Sequence, residues 1–250
     1  DESELKHSVD SCMRIGKELY NNSSFYIEKY IKRPVHIEVQ IFNGMAIGIR
    51  KCAVQRRNQK IIEESGHTFL DVEDSLTLLE AAEKIAQVSG YSEGGGAGTI
   101  EFLIDDETGK FGFMEVNTRL QVEYAVTDQS LGIDLAKWQI LYYDGRMDEI
   151  VGLDTIKNRI TDKDHSIECR IYAEEPENNY LPSPGTIIEM VLPAYNGIRC
   201  DFGFGDGDTI LPMYDPMIGK IIAHGRNRKE ALIRLERALQ ELYIKGVKIN

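Results

Sequence analysis

Three features of the 250-residue sequence predict an α+β fold. Strand-like runs are separated by tight polar turns that suit antiparallel neighbours. Amphipathic helical runs stand apart from the strands, and antiparallel strands with helices to one side make an α+β architecture. A polar, unpatterned stretch over residues 150–164 divides the chain into 1–150 and 151–250.

Taken in order, Leu5, Val9, Cys12, Met13 and Leu19 recur at helical spacing over 3–20. Strands are expected over 24–31, 35–42 and 46–56, the last two joined by the hairpin dipeptide Asn43-Gly44. Leu76, Leu79, Ala82, Ile85 and Ala86 alternate with charges over 72–89, a helix closed by Gly90. Residues 98–104 and 111–117 flank a turn centred near Thr108 and form a second hairpin. A loop leads to a helix over 132–143, closed by Gly145. Short strands follow near 166–174, 186–192, 197–203 and 217–224, then a helix over 227–243 carrying Leu232, Leu235, Leu239 and Leu242.

Composition excludes several classes. Lys plus Arg is 29 and Asp plus Glu is 41, a formal charge of −12, which argues against nucleic acid as a partner. Cys12, Cys52, Cys169 and Cys200 are scattered without a CxxC pair, so reduced thiols in a cytosolic-type protein are expected rather than zinc or disulfides. No apolar run reaches the roughly 18 residues of a spanning helix, so no membrane is implied. The chain starts at Asp1 without an initiator Met or a signal-like segment, and reads as a piece of something longer.

The chemistry concentrates in Phe113 to Glu123. In an extended backbone, Glu115, Asn117, Arg119, Gln121 and Glu123 share one face, while Phe113, Met114 and Val116 suggest that the run starts packed in the fold. The hairpin sets Glu101 opposite Glu115, with Cβ atoms about 5 Å apart, where two carboxylates repel. Apolar even positions (Ile100, Phe102, Ile104, Met114, Val116) screen the pair poorly. A divalent cation resolves the conflict, and the oxygen-only set Glu101, Glu115 and Asn117 favours Mg²⁺ or Mn²⁺, which points to ATP. A solvated strand face is the plainer alternative. The glycines of Ser92-Glu93-Gly94-Gly95-Gly96-Ala97-Gly98 precede a strand, not a helix N-terminus, so they are not read as a phosphate loop.

Glu115-Val116-Asn117-Thr118-Arg119-Leu120-Gln121-Val122-Glu123, with Glu101 before it, resembles the catalytic core of biotin carboxylase, an ATP-grasp ligase. Tyr26-Ile27-Glu28-Lys29-Tyr30-Ile31, His36-Ile37-Glu38-Val39-Gln40, Gln55-Arg56-Arg57-Asn58-Gln59-Lys60, Glu168-Cys169-Arg170-Ile171, Leu181-Pro182-Ser183-Pro184-Gly185 and Tyr214-Asp215-Pro216-Met217-Ile218-Gly219-Lys220 agree in order, so the resemblance runs from about Phe25 to Asn250. It implies an ATP-grasp antiparallel sheet with flanking helices over 1–150 and a smaller α+β biotin carboxylase C-terminal subdomain over 151–250.

The same resemblance implies roles. Glu28, Lys29 and Ile31 would meet adenine, and His36, Gln55 and Asn58 (where the family often has His) would meet the nucleotide with Glu101 and Glu115. Lys60, Arg119, Gln121, Val122 and Glu123 would receive bicarbonate, with Glu123 as base and Arg170 stabilising the enolate-like oxygen of biotin. Arg56 and Arg57 are read as solvated. Tyr124-Ala125 replaces the usual His-Pro, freeing the backbone beside Glu123. The implied cofactors are ATP, Mg²⁺ or Mn²⁺, and carrier-bound biotin. The implied partners are a biotin carboxyl carrier, a carboxyltransferase and a second copy in a homodimer, in the cytoplasm or, for a eukaryote, the mitochondrial matrix. The glycine-rich lid of the family lies upstream, so the chain alone is expected to fold in part without carboxylating biotin. Another ATP-grasp ligase, such as a carbamoyl-phosphate synthetase half, and a non-catalytic nucleotide-binding or dimerisation module are the alternatives. Glu168-Cys169-Arg170 and Leu181-Pro182-Ser183-Pro184-Gly185 favour the carboxylase.

Overall fold

Strand and helix preferences are realised in a computed structural model that describes residues 2–65, 70–94, 96–150, 156 and 164–250. Gly95 and most of the expected boundary at 150–164 lie outside the described residues. The chain divides into two units, Asp1–Arg33 and Pro34–Asn250.

In the first unit, helix α1 (Glu2–Tyr20) forms where the apolar spacing predicts it. The strand expected over 24–31 does not form. A strand needs a hydrogen-bonded neighbour, and no described strand pairs with this segment, which leaves Tyr26 82% and Tyr30 81% exposed.

The second unit is built on one eight-stranded sheet. Its strands are β1 (Pro34–Phe42), β2 (Met45–Arg56), β3 (Gln59–Ser65), β4 (Ala97–Asp105), β5 (Phe111–Asn117), β6 (His165–Tyr172), β7 (Ile198–Phe202) and β8 (Met217–Gly225). Their spatial order is β7-β8-β6-β3-β2-β1-β4-β5, with every neighbouring pair antiparallel. Strands from both sides of residue 150 therefore share one ladder. Asn43 (φ 48°) and Gly44 (φ 78°) both take positive φ, as the tight β1–β2 turn requires. β3, absent from the sequence expectations, follows a second such turn at Arg57 and Asn58 (φ 52° and 63°).

Alternation on β1 separates two environments. Ile37, Val39 and Ile41 pack with Leu78, Leu79, Ala82 and Ala86 of α2 (Val72–Val88), capped by the Asp71 carboxylate on the Asp74 amide. Truncating a fully buried Leu78 would cost about 2–5 kcal/mol. Further along the sheet, Ala231, Leu235 and Ala238 of α5 (Arg228–Glu241) pack against Ile167, Ile171 and Ile221.

Two more helices, α3 (Tyr124–Leu131) and α4 (Leu135–Tyr143), carry a different set of contacts. Leu135 and Trp138 of α4 pack on Phe42 and Ile47, and α3 packs against β3, β6, β8 and β2, the strand that carries buried Arg50. Helices thus flank both faces rather than one. The reason is that β1 is apolar on one face and polar on the other, and both are covered. α3 itself occupies part of the expected loop. Its own periodicity is weak because Thr127 and Asp128 are buried through polar contacts, not apolar ones.

At the sheet edge, Phe111, Phe113 and Met114 are exposed at 36%, 50% and 40%, so the start of the Phe113–Glu123 run is not packed. The ladder shifts register between Glu101 and Phe102, where Met114 is the extra residue.

Candidate functional site

β1 presents His36, Glu38 and Gln40 on its polar side, and the ladder brings partners to them. Glu38 faces Arg50 on β2 and Glu101 on β4, and Glu101 in turn faces Glu115 on β5, as the hairpin reading requires. The expected odd-numbered row is a strand only to Asn117. Beyond it the chain turns beneath the sheet edge, so that Gln121 and Glu123 are buried while Arg119 is exposed.

Lys60 ties the carboxyls together. Its ammonium pairs with Glu38 and donates to Glu101 Oε1 at 3.1 Å and Glu123 Oε1 at 2.8 Å. Burial works against that charge, but Glu38 and Glu123 outweigh it and hold Lys60 protonated. Arg50, fully buried, donates to Glu38 Oε2 at 3.1 Å, to Thr127 Oγ1 at 3.0 Å and to Gln40. Buried charges persist only with such partners.

Around Glu101 the donors are dense: His36 Nε2 lies at 2.6 Å, Gln121 Nε2 at 2.7 Å and Asn117 Nδ2 at 2.9 Å. Burial would raise this carboxyl, yet the His36 hydrogen bond, the Lys60 charge and Gln121 bring it down to about 2. Asn117 Nδ2 also donates to Glu115 Oε1 at 2.9 Å and so bridges the two repelling carboxylates. Glu123 meets Arg170 Nη2 at 3.0 Å through its other oxygen. There, too, burial raises the carboxyl, but Arg50, Lys60 and Arg170 win and hold it at about 2.

The oxygen set of Glu101, Glu115 and Asn117 fits a hard divalent cation. The three side chains converge within hydrogen-bonding reach, and a half-turn of the Asn117 amide presents Oδ1 instead of Nδ2. A second cluster, His36, Glu38 and Cys52, has ligand atoms within 4.8 Å of one another. Its Glu38 is already committed to Arg50 and Lys60, so it reads as part of the ion-pair network.

One cavity of about 900 Å³ is lined by every residue assigned from the sequence to the metal, nucleotide phosphates, bicarbonate or biotin. It includes His36, Gln55, Asn58, Lys60, Arg119, Gln121, Val122 and Arg170. Gln55 Nε2 lies 2.8 Å from His36 Nδ1, and Arg119 donates to the Leu120 carbonyl at 3.3 Å. Glu28, Lys29 and Ile31 belong to the first unit. One solvated reading needs correction: Arg56 is an ion-pair partner of Glu174 and lies 3.9 Å over the Tyr180 ring, whereas Arg57 is exposed as expected and donates to Asn179 Oδ1 at 2.7 Å.

Comparison with known sequences agrees with this geometry. The family described as "Carbamoyl-phosphate synthase L chain, ATP binding domain" matches residues 1–146, and "Biotin carboxylase C-terminal domain" matches 168–250. Biotin carboxylase 2 of Bacillus subtilis is 39% identical over 255 residues, covering 100% of this chain and 55% of that protein. The chain belongs to the biotin carboxylase family.

Solved structures of the family superpose well. The Campylobacter jejuni biotin carboxylase complexed with β,γ-ATP has a TM-score of 0.88 at 37% identity, covering 100% of this chain and 55% of that one. The biotin carboxylase domain dimer of Hydrogenobacter thermophilus 2-oxoglutarate carboxylase, in complex with MgADP, ADP and bicarbonate, gives 0.88 at 35%, covering 100% and 54%. The chain spans about half the length of the curated relatives it matches. The ATP-grasp sheet with flanking helices is thus the fold of this family. No helix among the described residues is long and apolar enough to cross a membrane.

Some site residues escaped the sequence reading. Arg50 had a signal, since it lies opposite Glu38 once the Asn43-Gly44 turn fixes the register. Lys220 had none. It reaches from β8 to donate to the Val122 carbonyl, next to Glu123, and sits 4.7 Å from the Tyr124 ring. Arg199 Nη2 donates to Tyr124 Oη at 3.2 Å from the same side. The backbone freed by the lost proline is therefore tied from β7 and β8, across a separation in sequence that no local pattern reveals.

Proposed function

We propose that the complete protein catalyses the ATP- and bicarbonate-dependent carboxylation of biotin on a carrier, and that this chain supplies most of the catalytic core. The observation that carries the reading is Lys60 bridging Glu38, Glu101 and Glu123, with Arg170 on the far oxygen of Glu123, in the cavity that the metal-type carboxylates also line.

In this reading Glu101, Glu115 and Asn117 hold Mg²⁺, which when bound neutralises charge on the nucleotide phosphates. His36 borders the phosphates, Gln55 and Asn58 contact the nucleotide, and Glu28, Lys29 and Ile31 are the residues assigned to adenine. Lys60, Arg119, Gln121 and the Val122 amide take bicarbonate, a planar anion suited to a guanidinium fork. Glu123 is ionised before substrate arrives, so it is free to accept the bicarbonate proton, and burial does not leave it already protonated. Its weakness as a base is relieved when bound anions draw Lys60 and Arg170 toward themselves. Attack on the γ-phosphorus gives carboxyphosphate and ADP. Collapse to CO₂ and phosphate lets the phosphate take the N1′ proton of biotin, while Arg170 steadies the enolate-like oxygen.

The domain division at 1–150 and 151–250 is part of this proposal, supported by the separate family matches at 1–146 and 168–250. So are a carboxyl carrier and a carboxyltransferase as partners, a homodimer, and a cytoplasmic or mitochondrial-matrix location. The test is ADP release by the complete protein with Mg²⁺, bicarbonate and free biotin. Biotin-dependent turnover is expected. Turnover that depends on ammonia or glutamine would indicate the carbamoyl-phosphate branch, and ATP binding without turnover a non-catalytic module.

A further inference from the structure

Beneath the Glu123–Arg170 contact lies a second carboxyl pair with no part in the reaction above. Glu63 on β3 is directly opposite Glu168 on β6 in the antiparallel ladder. Both are 0% exposed, and directly opposed residues have Cβ atoms about 5 Å apart. Among the described residues, none of their four carboxyl oxygens has an aligned hydrogen bond. Buried polar groups are nearly always satisfied, and here the cations in reach, Arg170 and Lys220, approach without aligned hydrogen bonds.

The cations nearby are shared. Arg170 Nη2 is in ion contact with Glu63 Oε1 and also donates to Glu123 Oε2 at 3.0 Å. Lys220 is 3.3 Å from Glu168 Oε2, 3.8 Å from Asp201 Oδ2, and donates to the Val122 carbonyl. If both Glu63 and Glu168 were ionised, Arg170 would sit between two competing carboxylates and the dry pair would carry two like charges, an arrangement that drives protonation of one member.

We propose that Glu63 and Glu168 hold one proton between them and act as positioning residues, leaving Arg170 turned toward Glu123. A proton on the pair supplies a hydrogen bond between the two carboxyls, lets Glu168 remain the partner of Lys220, and removes the rival for Arg170. The surroundings agree. Burial raises both carboxyls, each carries the added repulsion of Glu123, and Arg170 and Lys220 offset this only in part. The other titratable groups in range are Cys52 on β2 and Cys169 and Tyr172 on β6, all pushed upward by burial and therefore neutral.

The inference rests on the proposed function only for its activity readout, and its first test is independent of activity. Infrared spectra of the protein at neutral pH should show the carbonyl band of a buried carboxylic acid, absent from a fully ionised set. Glu63→Gln and Glu168→Gln should each abolish it, because the surviving carboxylate then has Lys220 or Arg170 to itself. Among the described residues Glu38 and Asp128 are also buried carboxyls pushed upward, so the band assigned to the pair is the one lost from both variants. Spectra in which no band is lost from both variants overturn the proposal, as does the absence of any band in the unmodified protein. Should one Gln variant fail to fold, the other carries the comparison. Should both fail, a band in the unmodified protein that shifts on ¹³C-glutamate labelling and disappears as pH rises supports the pair, and one that does not titrate overturns it.

In carboxylation assays, loss of the shared proton should release Arg170 to the pair and lower the rate on the alkaline side. Glu63→Gln should keep the acid-side rate within about tenfold and flatten that alkaline decline. An unchanged profile in Glu63→Gln would leave the pair structural and overturn the positioning role.

Discussion

Two carboxyl pairs face each other across this sheet, Glu101 with Glu115 and Glu63 with Glu168, and their environments drive them in opposite directions. Each is a like-charge pair in direct register on an antiparallel ladder. Glu101 collects His36, Lys60, Gln121 and Asn117 and is held at about 2, while its partner Glu115 is exposed at the edge strand. Burial raises Glu63 and Glu168, and the shared cations Arg170 and Lys220 offset it only in part. Pairing geometry alone therefore does not decide protonation. Burial prevails at Glu63 and Glu168, whereas the donors aimed at Glu101 outweigh burial there, which supports the proposal of a cation at one pair and a proton at the other.

The largest effect should come from breaking the cation seat. Glu101→Gln removes the carboxylate that organises His36, Lys60, Gln121 and Asn117 at once. In the complete protein, ATP-dependent carboxylation should fall by more than about 100-fold. Steady-state rates at saturating Mg²⁺ check this, and a loss smaller than tenfold would move the metal away from Glu101.

Next comes stability against pH, where the two pairs should show opposite signs. Glu101 has a folded pKa below its unfolded value, so its contribution is present above about 4.5 and is lost as pH falls toward 2, roughly 3 kcal/mol in all. Glu63 and Glu168 are raised, so their contribution is present below about 4.5 and is lost as pH rises through their folded values. Urea midpoints should thus fall at both ends of the range. Glu101→Gln should flatten the acid side and Glu63→Gln the alkaline side. The same flattening from either variant would mean that the pairs are not distinct.

This contrast also explains what the sequence could and could not reveal. Glu101 and Glu115 are fourteen residues apart around a turn, so alternation and a local hairpin suffice to set them face to face. Glu63 and Glu168 meet only because β3 and β6 pair across a long stretch of chain, and β3 itself starts in the basic run 55–60, which reads equally as loop. The apolar faces of α2 and α5 are visible as spacing, whereas α3 is held by Thr127 and Asp128 through contacts to distant strands. The segment 24–31 fails for a converse reason, since Tyr26, Ile27 and Tyr30 have strand-like character but no neighbour to pair with. Local periodicity shows which residues are able to form an element, and non-local partners decide whether they do.

Asn117 offers a finer probe, because its amide is what holds Glu101 and Glu115 together in the absence of a cation. Asn117→Asp replaces two donated hydrogen bonds with a third carboxylate. Without divalent ions the variant should lose about 1–3 kcal/mol. Mg²⁺ should restore more stability to it than to the unmodified protein, since the added oxygen is a ligand rather than a competitor. Thermal melts with and without Mg²⁺ read this directly, and equal Mg²⁺ shifts in the two proteins would place the cation elsewhere.

The smallest expected effect lies at the join between the two pairs. Tyr124 stands beside Glu123 and is approached by Lys220, whose ammonium also pairs with Glu168, and by Arg199, which donates to its hydroxyl. Tyr124→Phe removes the hydroxyl and keeps the ring under Lys220. If Lys220 sets Glu168 and Arg199 merely steadies the ring, stability should fall by only about 0.5–1.5 kcal/mol, the worth of one hydrogen bond. The alkaline limb of carboxylation should stay where it is. Arg199 retains Asp128 at 3.3 Å and Asp201 at 2.8 Å, so the lost contact leaves no unpaired charge behind. A shift of that limb in Tyr124→Phe would mean that the phenol, and not Lys220 alone, governs the charge on Glu168, and the proton seat would then extend onto α3.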